Sequence, residues 1–241
     1  MSLAARRWPT LTQGEMLVAL RGHHWFNDLP ESQVVEIAAL TVPRLYAAGE
    51  LVHCKRDPAA GLYGILSGRV RISSTSAEGR ESVFSFMGRG EWFGHIGLID
   101  GLPRTHDIRA VEDSVILLIH HNDFRQLLEQ NLVLYKHFAL QLCRLVRTAF
   151  AAIDDGTLLG IEARLAKRLI TLADTCGVAH PEGILINMHL PQRELAAILN
   201  VTRQTINKKL AEWRVRGWIS IHYGQILIIR RAEIERLYAN D

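Results

Sequence analysis

The 241-residue chain is 48% hydrophobic and 22% charged, a composition ordinary for a soluble protein able to bury a real core. It has no apolar run near the roughly 20 residues that span a bilayer and no secretory signal at its N-terminus, so no membrane partner is expected and the cytoplasm is the expected location. The net charge of +3 is uneven: from Leu158 onward twelve basic residues face eight acidic ones, whereas the preceding part sums to −1, which makes nucleic acid a candidate partner of the C-terminal third.

In chain order, residues 14–40 read as short helices, with Pro30 and Glu31 starting one whose apolar face is Val34, Val35, Ile37, Ala38 and Leu40. From Val42 to His121, short apolar or alternating runs punctuated by glycines predict an all-β region closing into a small roll. Residues 68–73 and 82–86 alternate as half-buried strands, and Ala77-Glu78-Gly79-Arg80 supplies the hairpin turn between them. Helical periodicity returns at Asn122 and, broken at Asn131, runs to about Asp154. On it Phe138, Leu142, Leu145, Ala149 and Ala152 repeat at the spacing of a coiled-coil seam and predict a homodimer interface. Ala139, Cys143, Val146, Phe150 and Ile153 form a second stripe, leaving one stripe for the roll and one for a partner helix. The segment Asp154-Asp155-Gly156-Thr157 is expected to end the helix as a hinge, because Gly156 interrupts the periodicity and two acids oppose the helix dipole. Beyond it, 161–176 reads as an amphipathic helix, 183–190 as a strand, 191–216 as a helix pair, and 218–221 with 225–229 as a hairpin wing. The expected class is α+β: a jelly-roll effector domain over 1–130, a dimerisation helix and hinge over 131–157, and a winged helix-turn-helix over 158–241.

Residues 192–210, QRELAAILNVTRQTINKKL, contain the parts of a helix-turn-helix. Leu195, Ala196 and Leu199 face inward, Asn200 suits a left-handed turn, Val201 fills the corner and Thr202 caps the second helix. Ile206, Leu210 and Trp213 anchor that helix, leaving Arg203, Gln204, Asn207 and Lys208 for base edges, since Arg and Lys donate to guanine and Gln pairs with adenine. Gln192 belongs to the same DNA-facing set, and Arg193, Lys209 and Arg216 are assigned to phosphates.

Three further segments carry a family resemblance: Tyr46-Ala47-Ala48-Gly49-Glu50, residues 61–71 (GLYGILSGRVR) and residues 93–105 (FGHIGLIDGLPRT). With the long helix and the winged motif, they make nearly the whole chain resemble the CRP/FNR family of bacterial regulators. The resemblance implies an effector-binding roll, dimers along the long helix, and regulation, most often activation, at inverted-repeat promoter DNA. It also implies that His180-Pro181-Glu182-Gly183 is similar to the loop by which the catabolite activator touches RNA polymerase; an ordinary turn is the alternative.

The effector cassette implied by the resemblance comprises Gly94, His95, Ile96, Gly97, Arg104 and Thr105, with Ala149 and Phe150 at the adenine-reading positions of the long helix. Arg104 and Thr105 match the phosphate half of a cyclic-AMP site, but His95 replaces the ribose-binding Glu and Ala149-Phe150 replace a Thr-Ser pair. Cyclic AMP is therefore not expected to be the effector. Arg104 is either an anion ligand or a structural Arg paired with an acid; a cyclic nucleotide or cyclic dinucleotide stays a candidate effector. Haem also stays open, with His23, His24, His95, His106, His120 and His121 as possible ligands. Cys54, Cys143 and Cys176 are too few for a disulfide framework or a Cys-only metal cluster and read as buried thiols. No nucleophile–base pair or metal constellation stands at informative spacing, so an enzyme is not expected. The rival reading is a cyclic-nucleotide-type module that regulates another protein without binding DNA.

Overall fold

The computed structural model describes residues 11–76, 78 and 81–239, giving His24 and Glu81 as backbone only. The expected turn at Ala77-Glu78-Gly79-Arg80 therefore lies mostly outside the described residues. The chain divides into two compact units after Leu145.

The first unit opens with α1 (Gln13–Arg21), started by a capping box in which Thr12 and Glu15 satisfy each other's backbone donors. A 3-10 turn at His24–Phe26 and α2 (Glu31–Leu40) follow, the latter beginning at Pro30 as its sequence predicts. The roll consists of β1 (Thr41–Tyr46), β2 (Leu51–His53), β3 (Gly61–Ser67), β4 (Val70–Thr75), β5 (Glu81–Met87), β6 (Trp92–Phe93), β7 (Asp107–Ala110) and β8 (Ser114–His120). Two antiparallel sheets result, ordered β1-β8-β3-β6 and β2-β7-β4-β5. A short helix, α3 (His95–Asp100), lies between β6 of one sheet and β7 of the other.

Residues of β3 and β8 alternate between two cores. Tyr63, Ile65, Ile116 and Leu118 join Val70, Phe93 and Ile108 in one cluster, while Leu62, Leu117 and Ile119 join Trp92 and the helices in the other. Burial on both faces is why these strands read as near-continuous apolar runs. Gly64 is needed where Trp92 crosses β3, because a Cβ there would lie 2.4 Å from the indole.

The roll is followed by α4 (His121–Gln130) and α5 (Leu132–Leu158), separated at Asn131 as expected. The inner face of α5 is Leu134, His137, Phe138 and Gln141. Phe138 is thus corrected from seam to core: it is 1% exposed, packed on Phe124 and Trp25 at 4.9 and 6.1 Å between ring centroids. Beyond it Leu145, Ala149 and Ala152 are exposed and Leu142 is half-buried. Cys143 is exposed on the same stretch, and Cys54 and Cys176 are half-buried, so none of the thiols is fully buried.

The helix also outruns the expected hinge. Gly156 is helical, the Thr157 hydroxyl donates back to the Ile153 and Asp154 carbonyls at 3.0 and 3.1 Å, and Lys167 pairs with Asp155 at 2.5 Å. That cation offsets the acid's conflict with the helix dipole, and the break moves to Leu159-Gly160.

In the second unit α6 (Ile161–Cys176) matches its predicted span, and β9 (Gly177–His180) pairs with β10 (Gly183–Ile186). The sequence reading missed β9 and carried β10 too far: after Ile186 the chain leaves the ladder, with the Asn187 amide donating to the Cys176 carbonyl at 3.0 Å. Next come α7 (Gln192–Leu199), α8 (Arg203–Val215), β11 (Ile219–His222), β12 (Gln225–Ile228) and α9 (Arg231–Glu235), the last also unforeseen. The sheet order is β11-β12-β10-β9. Leu165, Leu169, Leu195, Ile206, Leu210, Trp213, Ile226 and Ile234 supply buried side chains from its helices and strands.

Candidate functional site

The turn between α7 and α8 is built as its residues dictate. Asn200 adopts φ 52° and ψ 49°, a left-handed conformation that Asn tolerates better than branched residues. The Val201 amide then donates to the Ala196 carbonyl at 3.0 Å, and Thr202 accepts from the Thr205 amide at 3.2 Å as N-cap of α8. Burial of Ile206, Leu210 and Trp213 turns Arg203, Gln204 and Lys208 outward. Asn207 is half-buried, its side-chain oxygen enclosed without a hydrogen-bond partner. On α7, Arg193 is exposed and Gln192 half-buried; Arg164 donates to the Leu199 carbonyl at 2.6 Å, closing that helix. The first turn of α8 has no acidic residue, so its exposed amides and basic side chains present one sign of charge.

Lys209 is placed differently from the expectation. Its ammonium binds Glu162 and Glu212, each at 3.0 Å, while the other oxygen of Glu162 accepts from the Trp213 indole at 3.0 Å. The Trp213 bond and Lys209 hold the Glu162 carboxyl below its usual range. Lys209 therefore fastens α8 to α6 instead of facing outward. Arg216 lies over the Trp218 ring at 4.8 Å, with its side of the helix exposed.

The wing was foreseen with His222-Tyr223-Gly224 between its strands, and the loop is one residue shorter, because His222 pairs with Gln225. Tyr223 and Gly224 both have positive φ, 48° and 79°, the pairing a two-residue type I′ hairpin needs. Tyr223 is left 99% exposed. The Tyr-Gly pair was the available signal. His180-Pro181-Glu182-Gly183 forms the tight turn of the β9–β10 hairpin, with His180, Pro181 and Glu182 exposed.

The roll holds a second site, around α3. Gly94 at φ 97° and Gly101 at φ 73° bound this helix in left-handed conformations. Arg104 is buried, donating to the Gly94 and Gly61 carbonyls at 2.7 and 2.6 Å, with its guanidinium carbon 5.3 Å from the Tyr63 ring centroid. A Cβ at Gly94 would come within 2.7 Å of that guanidinium. Gly97 packs on the Leu102 carbonyl, Ile96 is half-buried and Thr105 exposed.

His95 is 6% exposed, edge-on to Trp25 at 5.2 Å, and neither ring nitrogen has a hydrogen-bond partner. Burial and the Arg104 charge push its pKa down to about 4. His53, which the sequence reading passed over, lies near the stacked Tyr63–Phe93 pair and is likewise pushed down to about 4 by burial and Arg104.

Ala149 and Phe150 are exposed on α5 and belong to the second unit, whereas residues 94–105 belong to the first. Of the other proposed haem ligands, His23 accepts from the Trp92 indole at 3.0 Å, His106 packs on Phe84, His120 is exposed and His121 half-buried; only the backbone of His24 is described. Among the described residues no group of three or more His, Cys, Asp or Glu could hold a metal ion. Nor is any described helix long and apolar enough to cross a membrane.

With this geometry in view, the cyclic nucleotide-binding domain family matches residues 43–131, and the Crp-like helix-turn-helix domain family matches residues 163–237. A CRP-like cAMP-activated global transcriptional regulator of Mycobacterium tuberculosis is 28% identical over 212 residues, covering 88% of this chain and 93% of the relative. FixK2 from Bradyrhizobium japonicum shares the fold at a TM-score of 0.72 and 20% identity, covering 83% of this chain and 98% of its own. The c-di-GMP responsive regulator CLP from Xanthomonas campestris does so at 0.70 and 21%, covering 83% and 99%.

Proposed function

The chain belongs to the CRP/FNR family of DNA-binding transcription regulators, and from that premise we propose that it works as a homodimeric, cytoplasmic activator switched by a nucleotide-type anion in its roll. The observation that carries the DNA reading is the outward set Arg203, Gln204 and Lys208 at the capped N-terminus of α8, with Ile206, Leu210 and Trp213 buried behind it. Two-fold symmetry would set two such helices roughly 34 Å apart on an inverted repeat. The exposed apolar side chains of Leu145, Val146, Phe150 and Ile153 favour a second copy along α5, with Ala149 and Ala152 allowing close approach. The exposed turn at His180-Pro181-Glu182 is the proposed contact for RNA polymerase.

For the effector we propose a phosphodiester other than cyclic AMP, held at Gly94, Ile96, Gly97, Arg104 and Thr105, with a cyclic dinucleotide as one candidate. The Mycobacterium tuberculosis relative is named as cAMP-activated, but here His95 offers a neutral imidazole where a ribose hydroxyl calls for a carboxylate acceptor. Among the described side chains, His95 is the haem candidate that is buried and unpartnered. Selection of DNA from a random pool, run with wild type and Arg203→Ala, tests the DNA reading: an inverted repeat should emerge, with preference relaxed at one symmetric position in the variant. Absence of any enriched repeat would favour the rival module that regulates another protein. Calorimetry with cyclic AMP and cyclic di-GMP, and the Soret absorbance of protein purified from its own host, test the effector.

A further inference from the structure

A cavity of about 150 Å³ opens within the first unit, between the loop ahead of α2 and the first half of α5. Two of its lining side chains are polar and more than nine-tenths buried, His137 at 6% exposure and Gln141 at 7%. The Gln141 amide lies 3.4 Å from the His137 Nε2 and accepts from Arg144 at 3.5 Å. Both contacts are at the long end for hydrogen bonds, and a primary amide has a second N–H and a second lone pair to offer. Leu29, Val133 and Leu140 add an apolar wall, while Asp28, Lys136 and Arg144 bring one negative and two positive charges to the exposed rim. At 3.6 residues per turn, Val133, Lys136, Leu140 and Arg144 lie on the side of α5 roughly opposite Leu145, Val146, Ala149 and Ile153, so a partner helix along that stripe leaves the cavity open.

We propose that this cavity binds a free α-amino acid with a small aliphatic side chain. Such a molecule answers every part of the lining at once. Its carboxylate meets Arg144, whose guanidinium can take both oxygens, with Lys136 beside it and the Gln141 amide behind. Its ammonium meets Asp28, and its side chain covers Leu29, Val133 and Leu140. Other ligand classes leave part of the lining unmet. A metal ion would face two cations, and a plain carboxylate or inorganic anion would set its charge beside Asp28. A nucleotide is too large, since a cavity of this volume takes a molecule about the size of benzene. No lining residue belongs to the cassette at 94–105, so the amino acid binds whatever the cassette holds.

The test is titration of the full-length protein with L-alanine and L-valine, beside isovalerate and isobutylamine, which are valine without its ammonium and without its carboxylate. Saturation-transfer NMR of the added compound reports contact. Tryptophan fluorescence reports affinity, because His137 stacks on Phe26 at 6.4 Å between ring centroids, next in sequence to Trp25. L-Valine should bind about tenfold more tightly than either truncated compound, the effect of losing one charge-assisted hydrogen bond. Arg144→Gln should weaken valine by about the same factor, and Asp28→Asn should bring valine and isovalerate to equal affinity. Both positions are exposed, so each variant should melt with the wild type when no ligand is present. If Arg144→Gln melts early, Arg144→Lys, which keeps the charge but not the two-pronged contact, should still weaken valine. No saturable binding of either amino acid would overturn the proposal, as would isovalerate or isobutylamine binding as tightly as valine, or valine binding unchanged in the Arg144 and Asp28 variants.

Discussion

Phe138 and Phe150 sit on the same helix and should respond oppositely to substitution. Phe138 is 1% exposed against Phe124, Trp25 and His137, whereas Phe150 is 63% exposed. Truncating a buried Phe to Ala removes its transfer free energy and leaves a cavity, costing about 3–5 kcal/mol. With a urea dependence of about 2 kcal/mol per molar for a unit of this size, Phe138→Ala should lower the midpoint of the first unit by roughly 2 M. Phe150→Glu should leave the fold of a protomer within about 0.5 kcal/mol, as surface changes do, while loosening self-association. Urea titration at fixed protein concentration, followed by the fluorescence of Trp25 and Trp92 in the first unit, measures the first effect, and sedimentation equilibrium the second. If Phe138→Ala kept the wild-type midpoint but sedimented as a monomer, the assignment of Phe138 to the core would be wrong.

Lys209→Ala should leave the salt dependence of DNA binding unchanged and lower the stability of the second unit by no more than about 1 kcal/mol, because its ion pairs are partly exposed. Arg193→Ala, at an exposed phosphate position, should reduce the salt slope by about one, a difference that filter binding over a range of salt concentrations resolves. Asn200→Ala should cost about 1–2 kcal/mol through its left-handed φ, and Asn200→Gly much less, as read by thermal melts. His95 has a folded-state proton affinity below its unfolded one, so the unfolded chain takes up the proton first as pH falls from 6.5 to about 4. Stability should decline across that window by on the order of 3 kcal/mol from this residue, and a pH series of melts on His95→Phe should show a shallower decline.

What could be read in advance followed how local each determinant is. Asn200 and Thr202 act on their own backbone, so the turn between α7 and α8 was legible to the residue. The inner and outer faces of α5 share one heptad-like pattern, and only the tertiary neighbours Trp25 and Phe124 show that Phe138 belongs to the inner one. Lys209 reads as a phosphate ligand because basic residues cluster around it; its partner Glu162 lies 47 positions away on another helix. In the same way Gly156 looked like a helix stop until the Lys167–Asp155 pair was seen to compensate the last turn. His53 carried no motif at all, and its importance lies in a burial that no local pattern encodes.

The way Arg104 ties the N-cap of α3 to β3 has a practical consequence for finding the ligand. The cassette exists only in the folded roll, where Arg104 reaches the carbonyls of Gly94 and of Gly61 on β3, so whatever occupies it binds the closed roll and not the unfolded chain. Its occupancy should then register as heat resistance, about 2.7 kcal/mol at a hundredfold excess over Kd, enough to move a melting curve by roughly 5–10 °C. A melting screen of small phosphate esters could therefore rank effectors without a promoter, a partner protein or any prior guess at the signal.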